Sequence, residues 1–192
     1  LEATNKADVI FLTNRCQAYK ARLFEFDDSK ASVLGDYLPQ KLGMDEGESP
    51  IFVLLPGDYK GNLISVFENG KAAKVELSAY ETKSNRRKLT ASLSDKSPVV
   101  ALFHGQPDVE IALYTQSRLL ILNTALLQAK TTRSTQGVAV FTLKKNQQVV
   151  RAIPLDQAGV ENPGRYRTRT LPAAGALTRE EDSPDKQLSL LD

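Results

Sequence analysis

The stretch Lys83-Ser84-Asn85-Arg86-Arg87-Lys88 puts four cations into six residues with no acid among them. A cluster of that kind suits one chemistry above others, the neutralisation of phosphates. A second stretch, Lys130-Thr131-Thr132-Arg133-Ser134-Thr135-Gln136, sets Lys130 and Arg133 among hydroxyls that could donate to phosphate oxygens. Lys71, Lys74, Arg118, Lys144 and Lys145 complete the candidate contacts. The plain alternative for each is a solvated surface turn. Bond-making chemistry finds far less support. His104 is the only histidine and Cys16 the only cysteine, so neither a nucleophilic triad nor a histidine metal cluster can be assembled from obvious parts. The acidic groups Asp27-Asp28, Asp45-Glu46 and Glu180-Glu181-Asp182 read as solvated turns and tail, and no phosphate-binding glycine loop is present. No catalytic residue, metal ligand or cofactor is expected within the chain.

The 192 residues carry a net charge of only +2, but the charge is uneven. Residues 1–56 hold 6 basic and 9 acidic side chains, 57–106 hold 8 and 5, 107–156 hold 6 and 3, and 157–192 hold 5 and 6. The middle of the chain is the basic part, as an electrostatic footprint on one face would require. A lone cysteine excludes an internal disulfide and points to a reducing, cytoplasmic compartment. No apolar run approaches the roughly 20 residues of a membrane helix, and no signal peptide is visible. The absence of an initiator Met and the early first strand suggest a piece of something longer.

Positioning these cations falls to a repeat. Ile10-Phe11-Leu12-Thr13-Asn14-Arg15-Cys16-Gln17-Ala18-Tyr19-Lys20 has the form strand, tight turn, strand, and the same form returns at 64–74 and 111–121. Turn residues Cys16, Gly70 and Ser117 then correspond, at spacings of 54 and 47, and ten residues beyond each stands a large apolar side chain, Phe26, Tyr80 or Leu127. Each unit continues through a polar loop to a third strand ending near Leu42, Leu93 or Leu143. Turns at 45–48, 94–97 and 144–147 lead to fourth strands at 51–55, 99–103 and 149–153. Four short strands in roughly fifty residues is the pattern of a propeller blade. The expected fold is therefore all-β, a propeller-like arc of about three four-stranded blades: 1–56, 57–106 and 107–156. A tail, 157–192, follows, in which residues 164–171 alternate like an edge strand before an extended end. The segment 124–130 reads as strand running into loop.

The first unit, Val9-Ile10-Phe11-Leu12-Thr13-Asn14-Arg15-Cys16-Gln17-Ala18-Tyr19-Lys20 with Phe24-Glu25-Phe26, resembles the repeat of the C-terminal β-pinwheel domain of bacterial DNA gyrase and topoisomerase IV A subunits, type IIA topoisomerases. The likeness covers about 7–155; Cys16 and Ser117 depart from the family's turn glycine and Gly70 keeps it. Those two turns are expected to differ in detail. The resemblance implies a non-catalytic module that binds, bends and wraps double-stranded DNA without sequence preference and presents it to the cleavage core. It implies as partners the rest of the A subunit and the ATPase B subunit, ATP and Mg acting through other domains, and a bacterial nucleoid setting. Asn85-Arg86-Arg87-Lys88-Leu89 lacks both glycines of the gyrase box Q-R-R-G-G-K-G, so the two enzymes are not separated by this stretch. The competing class is a propeller-type protein–protein interaction module.

Overall fold

The computed structural model describes residues 4–28, 30, 32, 34–82, 86–105 and 107–184. It is built of three four-stranded antiparallel sheets, as the repeat predicts. Their strands are β1 (Asp8–Thr13), β2 (Ala18–Arg22), β3 (Pro50–Leu54), β4 (Asn62–Phe67), β5 (Lys71–Glu76), β6 (Lys88–Leu89), β7 (Val99–Gly105), β8 (Glu110–Tyr114), β9 (Arg118–Asn123), β10 (Val138–Ala139), β11 (Arg151–Pro154) and β12 (Ala176–Leu177). The sheet orders are β3-β1-β2-β6, β10-β5-β4-β7 and β11-β8-β9-β12.

At the heart of the sheets lie the pairs β1–β2, β4–β5 and β8–β9, whose first strands β1, β4 and β8 are near-continuous apolar runs. Such runs lack the alternation of a half-exposed strand, and β1, β4 and β8 are buried from their second residue onward. The hairpin turns resolve the question raised by Cys16 and Ser117. Gly70 has φ +76° and Cys16 takes the same left-handed conformation, φ +57°, despite its Cβ. Ser117 avoids it; there the Thr115 hydroxyl closes the turn by accepting from Arg118 N–H at 3.0 Å.

The third strands correct the expected layout. In the first repeat the place is taken by α1 (Leu38–Leu42), entered through Pro39 and ended by Gly43 at φ +64°. Proline fits the first turn of a helix but cannot donate to a ladder. Leu38 and Leu42, one turn apart, pack with Phe11, Tyr19 and Val9 in the core of that sheet. In the second and third repeats the strand exists but leaves its own repeat: β6 pairs with β2, and β10 with β5. The tail does the same for the last sheet. β12, rather than the expected 164–171, is its edge strand and pairs with β9. The register is shared, since Ala18, Ala72 and Leu119, each the second residue after its turn residue, face Leu89, Val138 and Ala176. Immediately before the last two stand Gly137 and Gly175, with φ +71° and +62°. A Cβ on Gly137 would lie 2.1 Å from Ala72 O, and one on Gly175 would lie 2.8 Å from Leu119 O, so both strands dock through a bare backbone.

Two compact units result. The first comprises the described residues of Leu1–Lys60, Glu76–Asp95 and Thr131–Ser134; the second those of Gly61–Val75, Lys96–Lys130 and Thr135–Asp192. Each has polar anchors beneath its surface. In the first unit the buried Glu48 carboxylate accepts from the Tyr19 hydroxyl at 2.7 Å, from Asp45 N–H at 3.1 Å and from the Thr13 hydroxyl, tying the 45–48 turn to β1 and β2. In the second, buried Asp182 accepts from the Tyr166 hydroxyl at 2.7 Å and from Glu161 N–H at 2.8 Å. Arg167 forks onto Glu110 at 2.7 and 2.9 Å. The tail up to residue 184 is thereby held by buried and bidentate contacts. The apolar residues Leu188, Leu190 and Leu191 lie outside the described residues.

Candidate nucleic-acid interface

The predicted cations fall into three physical situations. Lys83, with Ser84 and Asn85, lies outside the described residues. In the first unit Arg86, Arg87 and Lys88 emerge where the chain returns to the sheet as β6, a placement fixed by the backbone bond from Lys20 N–H to Arg87 O at 2.7 Å. Arg86 is exposed and, among the described residues, has no ion-pair partner. Arg87 pairs with Glu25. Lys88 Nζ donates to Asp45 Oδ2 at 2.8 Å and lies 5.7 Å from the centre of the Tyr19 ring. The Asp45 carboxylate beside it holds Lys88 above its ordinary pKa and is itself held below the usual aspartate range, by Lys88 first and then Gln17.

Arg86 and Arg87 do not stand alone. A groove of about 500 Å³ in this unit is lined by Asp8, Lys20, Ala21, Arg22, Phe24, Glu25, Thr82, Arg86 and Arg87. Lys20 and Arg22, which sequence reasoning passed over, project from β2 into it. Their signal was present: Ala18-Tyr19-Lys20-Ala21-Arg22 alternates, so a period of two puts both cations on one face. They were missed because cations were sought in loops. Lys20 lies 3.9 Å from Asp8 and 4.9 Å from the centre of the Tyr59 ring. Burial pulls its pKa down, with Asp8 acting against that. Arg22 Nε lies 3.8 Å from Asp8 and its side chain is exposed. Four cations and two carboxylates therefore share the groove, which gives it a net positive charge.

Arg133, also in the first unit, turns inward: Nη1 donates to Ala79 O at 2.7 Å and the guanidinium lies 6.0 Å from the centre of the buried Tyr80 ring. Its Nε is buried without a partner among the described residues. In the second unit Lys74 corrects the phosphate candidates. Its side chain is 9% exposed, with Nζ 2.5 Å from Asp108 Oδ1 and 3.2 Å from Thr124 O. An ammonium so enclosed fastens β5 to the start of the third repeat and is withdrawn from the surface. Arg118 Nη1 donates to Gly175 O at 2.9 Å and Ala174 O at 3.3 Å, holding the approach to β12. Lys71 reaches Gln136 at 3.4 Å and Lys130 reaches Gln128 at 2.9 Å, both neutral partners. Lys144 and Lys145 are exposed in the turn before β11. Of the predicted cations, those without a carboxylate partner among the described residues are thus Arg86 in one unit and Lys71, Lys130, Lys144 and Lys145 in the other.

Among the described residues nothing else gathers into a site. His104 is an exposed residue of β7. The Cys16 thiol points to Ser94 O at 3.4 Å and is pushed up by burial and then by Asp95, the opposite of an activated nucleophile. Among the described residues no group of three or more His, Cys, Asp or Glu could hold a metal ion, and no helix is long and apolar enough to cross a membrane.

No protein-family model and no curated protein sequence matches this chain. Solved structures do. The crystal structure of the C-terminal domain of DNA topoisomerase IV aligns with a TM-score of 0.71 at 22% identity, over 83% of this chain and 50% of that one. The E. coli ParC C-terminal domain aligns at 0.68 and 14% identity, over 94% of this chain and 80% of that one. The DNA gyrase A C-terminal domain aligns at 0.61 and 15% identity, over 94% and 64%. This chain therefore spans half the length of the topoisomerase IV domain and under two thirds of the gyrase A domain. The chain has the β-pinwheel fold of the C-terminal domains of topoisomerase IV and DNA gyrase A.

Proposed function

We propose that this chain is a DNA-binding and DNA-bending domain of a type IIA topoisomerase A subunit, acting on duplex of any sequence and doing no bond chemistry itself. The observation that carries the proposal is the cationic groove of the first unit, where Lys20, Arg22, Arg86 and Arg87 converge at the meeting of β2 and β6. Its chemistry is that of backbone phosphate recognition, arginine forks matched to paired anionic oxygens. Lys71, Lys130, Lys144 and Lys145 supply further point charges for the same purpose, while Lys74, Arg118 and Arg133 act within the protein. Smooth bending of a 20 to 30 base-pair site costs about 1–6 kcal/mol, so several such contacts are needed to offset it. Cleavage, ATP hydrolysis and the magnesium they use would belong to other domains of the parent complex, the rest of the A subunit and the B subunit, in the bacterial cytoplasm.

The test has two arms. Affinity for a duplex of several tens of base pairs should exceed that for an acidic polypeptide of equal charge and fall steeply as salt rises. Ligation of a nicked circle in the presence of the protein should then trap a change in linking number. Binding to the polypeptide as tight as to duplex would favour the protein-interaction reading instead, and an unchanged linking number would remove wrapping from the proposal.

A further inference from the structure

The two carboxylates of the first unit's groove are held differently. Asp8 is engaged from several sides: the Tyr59 hydroxyl donates to it at 2.7 Å, and Lys20 and Arg22 stand 3.9 and 3.8 Å away. Glu25 divides its two oxygens. Oε1 accepts from the Arg22 backbone N–H at 2.9 Å, capping the short turn Leu23–Glu25, and Oε2 accepts from Arg87 Nη2. A carboxylate presented to a guanidinium offers the charge and acceptor oxygens that a phosphodiester would offer. Arg86, its neighbour in the chain, has no ion-pair partner among the described residues.

We propose that Glu25 is a built-in competitor of nucleic-acid phosphate: a backbone phosphate takes Arg87, beside Arg86, only by displacing the Glu25 side chain. The inference rests on the DNA-binding reading and adds the regulation of that site. Its energetics favour exchange over a permanent lock. The Arg87 side chain is 57% exposed and that of Glu25 is 23% exposed. An ion pair so placed is weak and screened by salt, whereas a phosphate arriving on a duplex brings its neighbours to Arg86 and Arg22. Part of what the duplex gains from Arg87 is cancelled by the loss of Glu25. The groove is therefore less adhesive than its four cations imply, a property suited to a surface over which DNA must move.

The experiment measures duplex affinity of the full chain between 50 and 200 mM salt for the wild type, Glu25→Gln, Arg87→Ala and the double variant. Glutamine keeps an oxygen for the Arg22 N–H, so the turn remains capped. Asp58→Asn is the charge control, because Asp58 lies in the same unit, pairs with exposed Lys60 at 2.7 Å and is absent from the groove. The expected result is that E25Q binds about 3- to 5-fold tighter and its log–log salt slope steepens by up to about 0.9, the value of one additional phosphate contact. R87A should cost more affinity in the E25Q background than in the wild type. An E25Q variant matching the wild type in affinity and slope, or a D58N variant gaining as much, would overturn the competition while leaving DNA binding in place. If neither wild type nor E25Q bound duplex, both readings would fall; binding by E25Q alone would support a competitor that dominates the groove.

Discussion

Neutralising Arg86 tests the ranking that the structure imposes on the basic residues. Arg86 is the groove cation without a carboxylate partner among the described residues, whereas Arg87 is shared with Glu25 and Lys88 with Asp45. Losing one full phosphate contact lowers the log–log salt slope by about 0.9, and over a fourfold change in salt that is about a 3.5-fold difference in affinity. Arg86→Ala should show that full loss. Arg87→Ala and Lys88→Ala should each show roughly half of it, because part of each charge already faces an acid. Lys74→Met should show none, its ammonium being enclosed by Asp108 and Thr124 O. The assay is fluorescence anisotropy with a labelled duplex at four or more salt concentrations, with circular dichroism confirming that each variant is folded. Equal slopes for R86A and K74M would refute the inference that pairing and burial decide which cations meet DNA.

Lys74→Met should instead lower stability by about 1–2 kcal/mol, the scale of a charge-assisted hydrogen bond discounted for the exposure of Asp108, read by urea unfolding. Lys74 and then Thr124 hold Asp108 below its ordinary pKa, so this stabilisation is present above about pH 4 and fades as pH falls further; the gap between wild type and K74M should close there, and a gap constant down to pH 2 would contradict the pairing. Glu48→Ala orphans the buried hydroxyls of Thr13 and Tyr19 and should cost about 3 kcal/mol, or roughly 6–12 °C in Tm for a domain of this size; a loss under about 1 kcal/mol would rule out the anchoring role. Gly137→Ala drives a Cβ onto Ala72 O at a positive φ and should cost at least about 2 kcal/mol, whereas Gly164→Ala, with open space around it, should be close to neutral by thermal melt.

What the residues disclosed follows the range of the interactions. The hairpins β1–β2, β4–β5 and β8–β9 and the fourth strands were legible because turn chemistry and apolar runs are local signals. The exchanged strands were not: β6, β10 and β12 are two residues long, too short for any periodicity, and their partners are chosen by tertiary docking. Repeat logic also wrongly predicted a strand at 38–42, where Pro39 and a left-handed Gly43 specify a helix instead. The basic loop 83–88 was visible, but the state of each cation was not. The acids that decide it are remote in sequence, 34 residues away for Lys74, 43 for Lys88 and 62 for Arg87.

The exchange of β6, β10 and β12 also constrains how such a chain can be edited. Excising residues 57–106 alone would strip one sheet of its border and delete most of another, yet the border would be restored at once, because residues 138–139 would become the next available lender to β2. The second and third repeats both lend and borrow, whereas the first, with α1 in the lender's place, only borrows. The third repeat borrows instead from residues 176–177, which lie outside the repeats.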